Sequence, residues 1–529
     1  MRHLALLLGL LLLLPCGADA QPTPHRQTAA VLSHYPAIAG MKLDSPAFQT
    51  AEPSLTSQDA LQQFLAALAH DSNKAKVASL GTSTQGRDIP VIYLTAEGLA
   101  DPAAIRALGR PVIWLIGQQH GNEPAGGEAM LALASTLARG ELAPLLSKIT
   151  VVIVPRANVD GAANDKRVLA SGADSNRDHL LLSQPEVRSV HAAMKALPPD
   201  VVFDHHEFSV AWRWVEKFNG LQASDVMILE ATNPSIPKSL SDIARNVYRP
   251  ALEAAIHKQG LSSFDYVTTD PTPADKRVSL GGTAPGIARN TFGLRGAVSY
   301  LIETRGVGIG LESYQRRVST HYLLARAVLE VSAADPAGLM KRLTAARAGV
   351  AADRSDLIVS HEEGEREVDL PLINAESGVL MPTTVRLIDS RDIRPVDVRP
   401  RPAGYLVLRA GPDVAERLGL NQVKVREVAT ASPQDVEAYR VTWTGSRKRR
   451  EAINPDHTVR VTLEKKTMDV PAGTLFVPMD QPAAGVAAAA LEPDSPGSYV
   501  GVGVIPMESN ETEAPVYRLM DASALALKP

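Results

Sequence analysis

Hydrophobic and polar positions fall into two textures that alternate along the first two thirds of the chain. Short, nearly continuous apolar runs, "DIPVIYLTA" (88–96), "PVIWLIG" (111–117), "ITVVIVP" (149–155), "DVVFDHH" (200–206) and "GAVSYLIET" (296–304), predict strands buried on both faces. Between them, "SQDALQQFLAALAHDS" (57–72), "GGEAMLALASTLARG" (126–140) and "PEVRSVHAAMKALP" (185–198) carry apolar residues at helical spacing. Strands alternating with helices predict an α/β fold up to about residue 335, a mixed, mostly parallel sheet flanked by helices. After "AARAGVAADRSD" (345–356) the texture changes. "VLMPTTVRLI", "AGYLVLRAG", "DHTVRVTLEKKT" and "GTLFVPM" read as strands separated by Pro, Gly and Asp, which predicts a smaller β-rich domain over 355–529.

The 529 residues exceed one ordinary domain. A formal net charge of −4 gives no electrostatic case for nucleic acid, and the basic run "SRKRRE" (446–451) reads as a solvated hairpin end. The start, "MRHLALLLGLLLLLPCGADAQ", has a basic residue, an apolar core and a small-x-small site at Ala18-Asp19-Ala20, so residues 1–20 read as a secretory signal cleaved after Ala20. The single cysteine, Cys16, lies within it. The mature chain is then exported without disulfides, which suits a periplasmic or extracellular protein stabilised by core burial or metal. No later apolar stretch is long enough to span a bilayer. Residues 21–50 lack periodicity and read as a leader arm, ahead of a catalytic region over 51–340.

Chemistry concentrates where the predicted strands end. "PVIWLIG" runs into His120 and Glu123, "ITVVIVP" into Arg156, Asn158 and Asp160, "VVFDHH" into Asp204, His205 and His206, and "AVSYLIE" into Glu303. Ligands of open α/β sheets bind outside the carboxyl ends of the strands. His120 and Glu123 offer two metal donors three positions apart, and the "FDHHEF" strand offers a third. Two histidines with one glutamate form an established catalytic zinc set, whereas Mg²⁺ or Ca²⁺ prefers oxygen alone.

Six segments, in order, resemble the zinc carboxypeptidases of the carboxypeptidase A type: "LGTSTQGRDIPVIYL", "HGNE", "RANVDGA", "GADSNRDH", "FDHHEF" and "LIETRG". The resemblance implies one zinc per chain held by His120, Glu123 and His206. His206 rather than His205 follows the Asp-x-His pattern anchored on Asp204, and also strand alternation. It further implies Glu303 as the general base that takes a proton from the attacking water and passes it to the leaving amine; the alternative for Glu303 is an ion pair with Arg305. Arg177, helped by Asn176, would clamp the substrate's terminal carboxylate, for which a guanidinium is suited bidentately. Arg167 would polarise the scissile carbonyl, and Asp174 would orient a zinc histidine. Arg289 lies in the expected specificity region, where it could receive an acidic side chain or make ordinary loop contacts.

One departure stands out. The tyrosine that closes over substrate in the family has no counterpart in "VSLGGTAPGIARNTFGLRG" (278–296), and Tyr266 lies far upstream. The expected activity is removal of a C-terminal residue from peptides with a free carboxylate. The alternatives are a zinc amidase or deacylase acting on N-acyl amino acids or cell-wall peptides, and a non-catalytic binding module.

Overall fold

The computed structural model describes residues 24–447, 456–507 and 512–528. The signal segment, Cys16 and the basic stretch 448–451 lie outside the described residues.

An eight-stranded sheet organises the first part of the chain. Its strands are β1 (Ala75–Thr82), β2 (Asp88–Leu94), β3 (Val112–Gly117), β4 (Thr150–Val154), β5 (Val201–Ser209), β6 (Val226–Glu230), β7 (Ser263–Asp265) and β8 (Val298–Val307). They lie side by side in the order β1-β2-β4-β3-β5-β8-β6-β7. The four central strands β4, β3, β5 and β8 are mutually parallel, so their carboxyl ends share one edge. β2 and β6 run antiparallel to this central set, β1 antiparallel to β2 and β7 parallel to β6.

The continuous apolar runs follow from burial on both faces, because successive side chains point to opposite sides. Ile113, Leu115, Val151, Ile153, Val201 and Phe203 enter one apolar cluster, with helices α2 (Pro124–Arg139) and α5 (Tyr314–Ala334). Val112, Trp114, Ile116, Val152, Val154 and Val202 enter another, below α3 (Pro185–Ala196) and α4 (Ala288–Leu294). The expected N-terminal helix is α1 (Gln58–Asp71), and the Ser57 hydroxyl caps it by accepting from Ala60 N at 3.1 Å.

Residues 24–50 lie along the body. Tyr35 packs beneath the Arg305 guanidinium at 3.5 Å from its ring centre, Gln315 accepts from Ile38 N at 2.8 Å, and Asp44 pairs with Arg139 at 2.9 Å.

Beyond α6 (Pro336–Ala352), a long hairpin of β9 (Leu357–Leu370) and β10 (Thr383–Arg399) adds Val278–Ser279 alongside β10 in parallel. Leu372–Asn374 pairs with Gly220–Gln222. Strands β11 (Gly404–Val407), β12 (Ser432–Arg447), β13 (Asp456–Val470), β14 (Leu475–Pro478) and β15 (Glu513–Leu519) form most of a six-stranded sheet, β-rich as the sequence texture predicts. β12 and β13 pair as far as Arg447 opposite Asp456. Tyr405, Tyr439 and Val486 from this region pack in the same apolar cluster as Leu294 and Val298.

Candidate metal centre

The approach of α2 to the sheet sets the geometry of the centre. A side chain on Gly126 would meet His205 Cβ at 2.8 Å, and one on Gly117 would meet the Gly127 backbone at the same distance. These glycines let the helix start sit directly on β3 and β5. The Glu207 carboxylate accepts from Ala125 N at 3.0 Å and holds that start in place. Glu123, immediately before the helix, is thereby brought beside His206. Gly126→Val is expected to lower stability by about 1–3 kcal/mol through overpacking; urea unfolding of the purified chain measures it.

His120, Glu123 and His206 are all buried, and their donor atoms lie within 4.8 Å of one another. His120 Nδ1 is 2.8 Å from Glu123 Oε1, His206 Nδ1 is 2.9 Å from Glu123 Oε2, and the two Nδ1 atoms are 3.0 Å apart. The far nitrogens are committed elsewhere: His120 Nε2 to Asp174 at 3.1 Å and His206 Nε2 to Asp204 at 2.7 Å. Protons on the far nitrogens leave two imidazole lone pairs and a carboxylate crowded together, an arrangement that a cation relieves. Burial alone would raise the pKa of Glu123, but His120 and His206 hold it well below the usual carboxylate range. Burial alone would lower that of His206, but Asp204 and Glu123 keep it well above the ordinary imidazole value. Two histidines and a glutamate suit zinc.

Glu303 stands in register with His206 across the parallel β5–β8 pair, so both face the same side of the sheet. Burial, then the Glu123 charge, pushes its pKa up to about 8. Arg305, the alternative partner, instead lies over Tyr35. His205 points to the opposite face, where its Nδ1 meets His321 Nδ1 of α5 at 3.0 Å. Burial lowers its pKa to about 3, so it packs as a neutral imidazole.

Arg167 reaches the cluster directly, with Nη1 3.2 Å from Glu123 Oε1 and 3.1 Å from His120 Nδ1, and Nη2 2.9 Å from Asp174 Oδ2. Asp174 therefore touches both the imidazole and the guanidinium. Arg177 and Asn176 sit in a short turn, Ser175–Arg177. Asn176 Oδ1 accepts from Ala288 N at 2.9 Å, which joins this turn to the start of α4. Arg177 is half-buried, and its charge is felt by Asp174, Tyr266 and Arg289. The Arg289 side chain is buried, donates from Nη2 to Gly282 O at 2.6 Å and leaves Nε without a partner. Burial lowers its pKa to about 10.

The strand-end groups after β4 prove to be scaffold. Arg156 donates to Gln118 Oε1 and to Thr56 O, both at 2.7 Å; Asn158 caps the turn of helix that follows by accepting from Gly161 N at 2.8 Å. Asp160 accepts from Ser83, Gln85 N and Arg87, tying down the Ser83–Arg87 turn ahead of β2. Conversely, the fold brings Tyr266 to the site. Its ring edge would contact a side chain on Gly281, as would Arg289 Nη2, and burial and the Glu303 charge raise its pKa. Its place depends on the Tyr266 N–Ile228 O bond at 3.3 Å beside β6, which no local sequence pattern announces.

Residues 61–310 match the family model described as zinc carboxypeptidase. Carboxypeptidase 2 of Trichophyton rubrum is 28% identical over 517 residues, 94% of this chain and 95% of the relative. Carboxypeptidase D of Mus musculus is 34% identical over 110 residues, 18% of this chain and 8% of the relative. Among solved structures, a metallo-carboxypeptidase from Burkholderia cenocepacia is 19% identical with a TM-score of 0.39, covering 52% of this chain and 69% of that one. Among the described residues no helix is long and apolar enough to cross a membrane. The motifs in order, the buried His-Glu-His cluster at the parallel strand ends and the match across 61–310 make this part of the chain similar to the zinc carboxypeptidases, peptide-bond hydrolases that depend on zinc.

Proposed function

We propose that the protein removes the C-terminal residue of peptides, with one zinc per chain held by His120, Glu123 and His206. The observation that carries this reading is the buried cluster of those three residues facing Glu303 in register across β5 and β8. Bound there, zinc would supply a Lewis acid that activates water and polarises the scissile carbonyl.

The chain's own residues do the rest. Glu303, buried and held near neutrality, accepts the proton of the attacking water and returns it to the departing amine. Arg167, anchored on Asp174, presents donors to the carbonyl oxygen as negative charge develops. Asp174 fixes the His120 tautomer. Arg177, assisted by Asn176, pairs with the terminal carboxylate and so restricts cleavage to chain ends. Arg289, a buried cation beyond Arg177, receives an acidic side chain on the departing residue. The reading includes export, with cleavage after Ala20 and residence in the periplasm or medium, on the strength of the apolar N-terminal run. It assigns catalysis to residues 51–340 and an accessory role to 355–529.

Substrate amidation tests the exopeptidase assignment. A charge-assisted contact to Arg177 is worth about 1.5–3 kcal/mol. Amidating the peptide's C-terminus removes the charge and keeps the shape, so kcat/KM of the unmodified enzyme is expected to fall about a hundredfold. Arg177→Ala is expected to discriminate far less between free and amidated peptides, the coupling signature of a direct contact. Equal losses on both substrates, with the ratio intact, make Arg177 structural and favour the amidase alternative.

A further inference from the structure

Arg295, at the end of α4, is a buried cation without an anion. Its Nη1 lies 3.2 Å from His191 Nδ1, while Nε and Nη2 have no partner, and burial alone lowers its pKa to about 9. Among the described residues no carboxylate pairs with it. Burying a charge in this way costs several kcal/mol, far more than an apolar residue of similar size.

From Arg295 a line of hydrogen bonds leads to the metal centre. His191 Nε2 is 2.9 Å from His179 Nδ1; His179 Nε2 is 2.9 Å from Gln119 Oε1; Gln119 Nε2 is 2.8 Å from Asp204 Oδ2; and Asp204 Oδ2 takes His206 Nε2 at 2.7 Å. All six residues of this line, from Arg295 to His206, are buried, and Phe292 packs against both His179 and His191.

The chemistry of the two ends allows the line to run in one direction only. A guanidinium cannot accept, so His191 Nδ1 must carry the lone pair and Nε2 the proton. His179 then accepts at Nδ1 and donates from Nε2, which assigns Gln119 Oε1 as the acceptor and turns its amide N–H toward Asp204. From the other end, the Asp204 carboxylate can only accept, which demands the same orientation of Gln119. Burial keeps both imidazoles neutral, with the pKa of His179 lowered to about 4, so the tautomers persist across the working pH range.

We infer that Gln119, His179, His191 and Arg295 are positioning residues, whose directed hydrogen bonds hold Asp204 and through it set the tautomer and angle of His206 at the metal. The inference rests on His206 being a zinc ligand. Broken at His179, the line leaves Gln119 Oε1 without its donor, so the amide that donates to Asp204 is no longer anchored; Asp204 swings, and His206 loses its fixed geometry.

The test uses the full chain carrying His179→Phe, which keeps ring volume and removes both hydrogen bonds, and His179→Gln, which keeps one acceptor and one donor. Zinc affinity is measured by chelator competition, and the visible absorption of the Co²⁺-substituted protein reports ligand geometry. His179→Phe is expected to weaken zinc binding by about ten- to a hundredfold, to shift the cobalt bands and to lower kcat while KM stays within about twofold. His179→Gln is expected to recover most of the affinity and the spectrum. Unchanged zinc affinity and cobalt bands in His179→Phe, with only a lower melting temperature, overturn the inference, as does His179→Gln behaving no better than His179→Phe. Should His179→Phe not fold, Gln119→Met severs the line beside Asp204 and is judged by the same two readouts. An unmodified chain that binds no zinc overturns the metal reading itself, a result distinct from any defect confined to the variants.

Discussion

Glu303→Gln is expected to fold and to bind zinc as the unmodified chain does, and to lose turnover by at least about 10²–10⁴-fold, the range for removal of a general acid–base group. Glu303 is not among the three clustered donors, so metal content separates a lost base from a lost ligand. The pH dependence sharpens the test. Burial and the Glu123 charge push the Glu303 pKa up to about 8 in the metal-free fold, from an ordinary value of 4.5. Between those values the folded state holds a proton that the unfolded chain has released, so stability of the metal-free protein falls as pH rises through that window. Glu303→Gln removes this dependence, and urea unfolding of chelator-treated protein at pH 5 and pH 8 measures the difference. In the zinc-loaded enzyme the added positive charge draws the Glu303 pKa below 8. The acidic limb of kcat/KM follows protonation of this carboxylate and is expected to vanish from the residual activity of Glu303→Gln. A Gln variant with near-normal turnover removes Glu303 from the mechanism.

The sheet was legible in the sequence because its strands are buried on both faces. A run such as "PVIWLI" admits no polar position, and neither β3 nor β4 exposes one. Legibility of the site followed from the sheet: parallel strands deliver their ends to one edge, so polar groups just past "PVIWLIG", within "VVFDHH" and at "AVSYLIE" converge in space. The same logic overreached after β4. Arg156, Asn158 and Asp160 occupy the same edge, but loops at a binding edge must themselves be held, and these side chains are consumed by Gln118, Thr56, Gly161 and the Ser83–Arg87 turn. Tyr266, Arg295 and the His179–His191 pair were illegible for a different reason. Their placement depends on how segments far apart in the chain pack, and neither helical nor strand spacing carries that information. The pairing of Gly220–Gln222 with Leu372–Asn374, and of Val278–Ser279 with β10, is equally non-local. Composition after residue 355 announces strands, but not which earlier segments they join.

His206→Ala is expected to abolish activity and to lose nearly all bound zinc, whereas His205→Ala keeps zinc at one per chain and most of its activity. The two histidines are neighbours on one strand and point to opposite faces of the sheet. His206 Nδ1 faces Glu123 and His120, and removing it takes away one of only three protein donors. It also strands Asp204, whose Oδ2 would lose the His206 proton and keep only Gln119 Nε2. His205 lies against α5, where its ring packs edge-on to His321 with centroids 5.1 Å apart, and its Cβ closes on Gly126. Truncating it opens a cavity between β5 and the flanking helices, a loss of about 2–5 kcal/mol by analogy with other large-to-small core changes. The two variants therefore separate along different axes: His206→Ala in metal content, His205→Ala in unfolding midpoint. Elemental analysis of each purified chain, beside its thermal melt, reads both. Zinc lost from His205→Ala but retained by His206→Ala reverses the assignment of the third ligand. Zinc retained by both puts the metal elsewhere, and the function proposed for Glu303 and Arg167 falls with it.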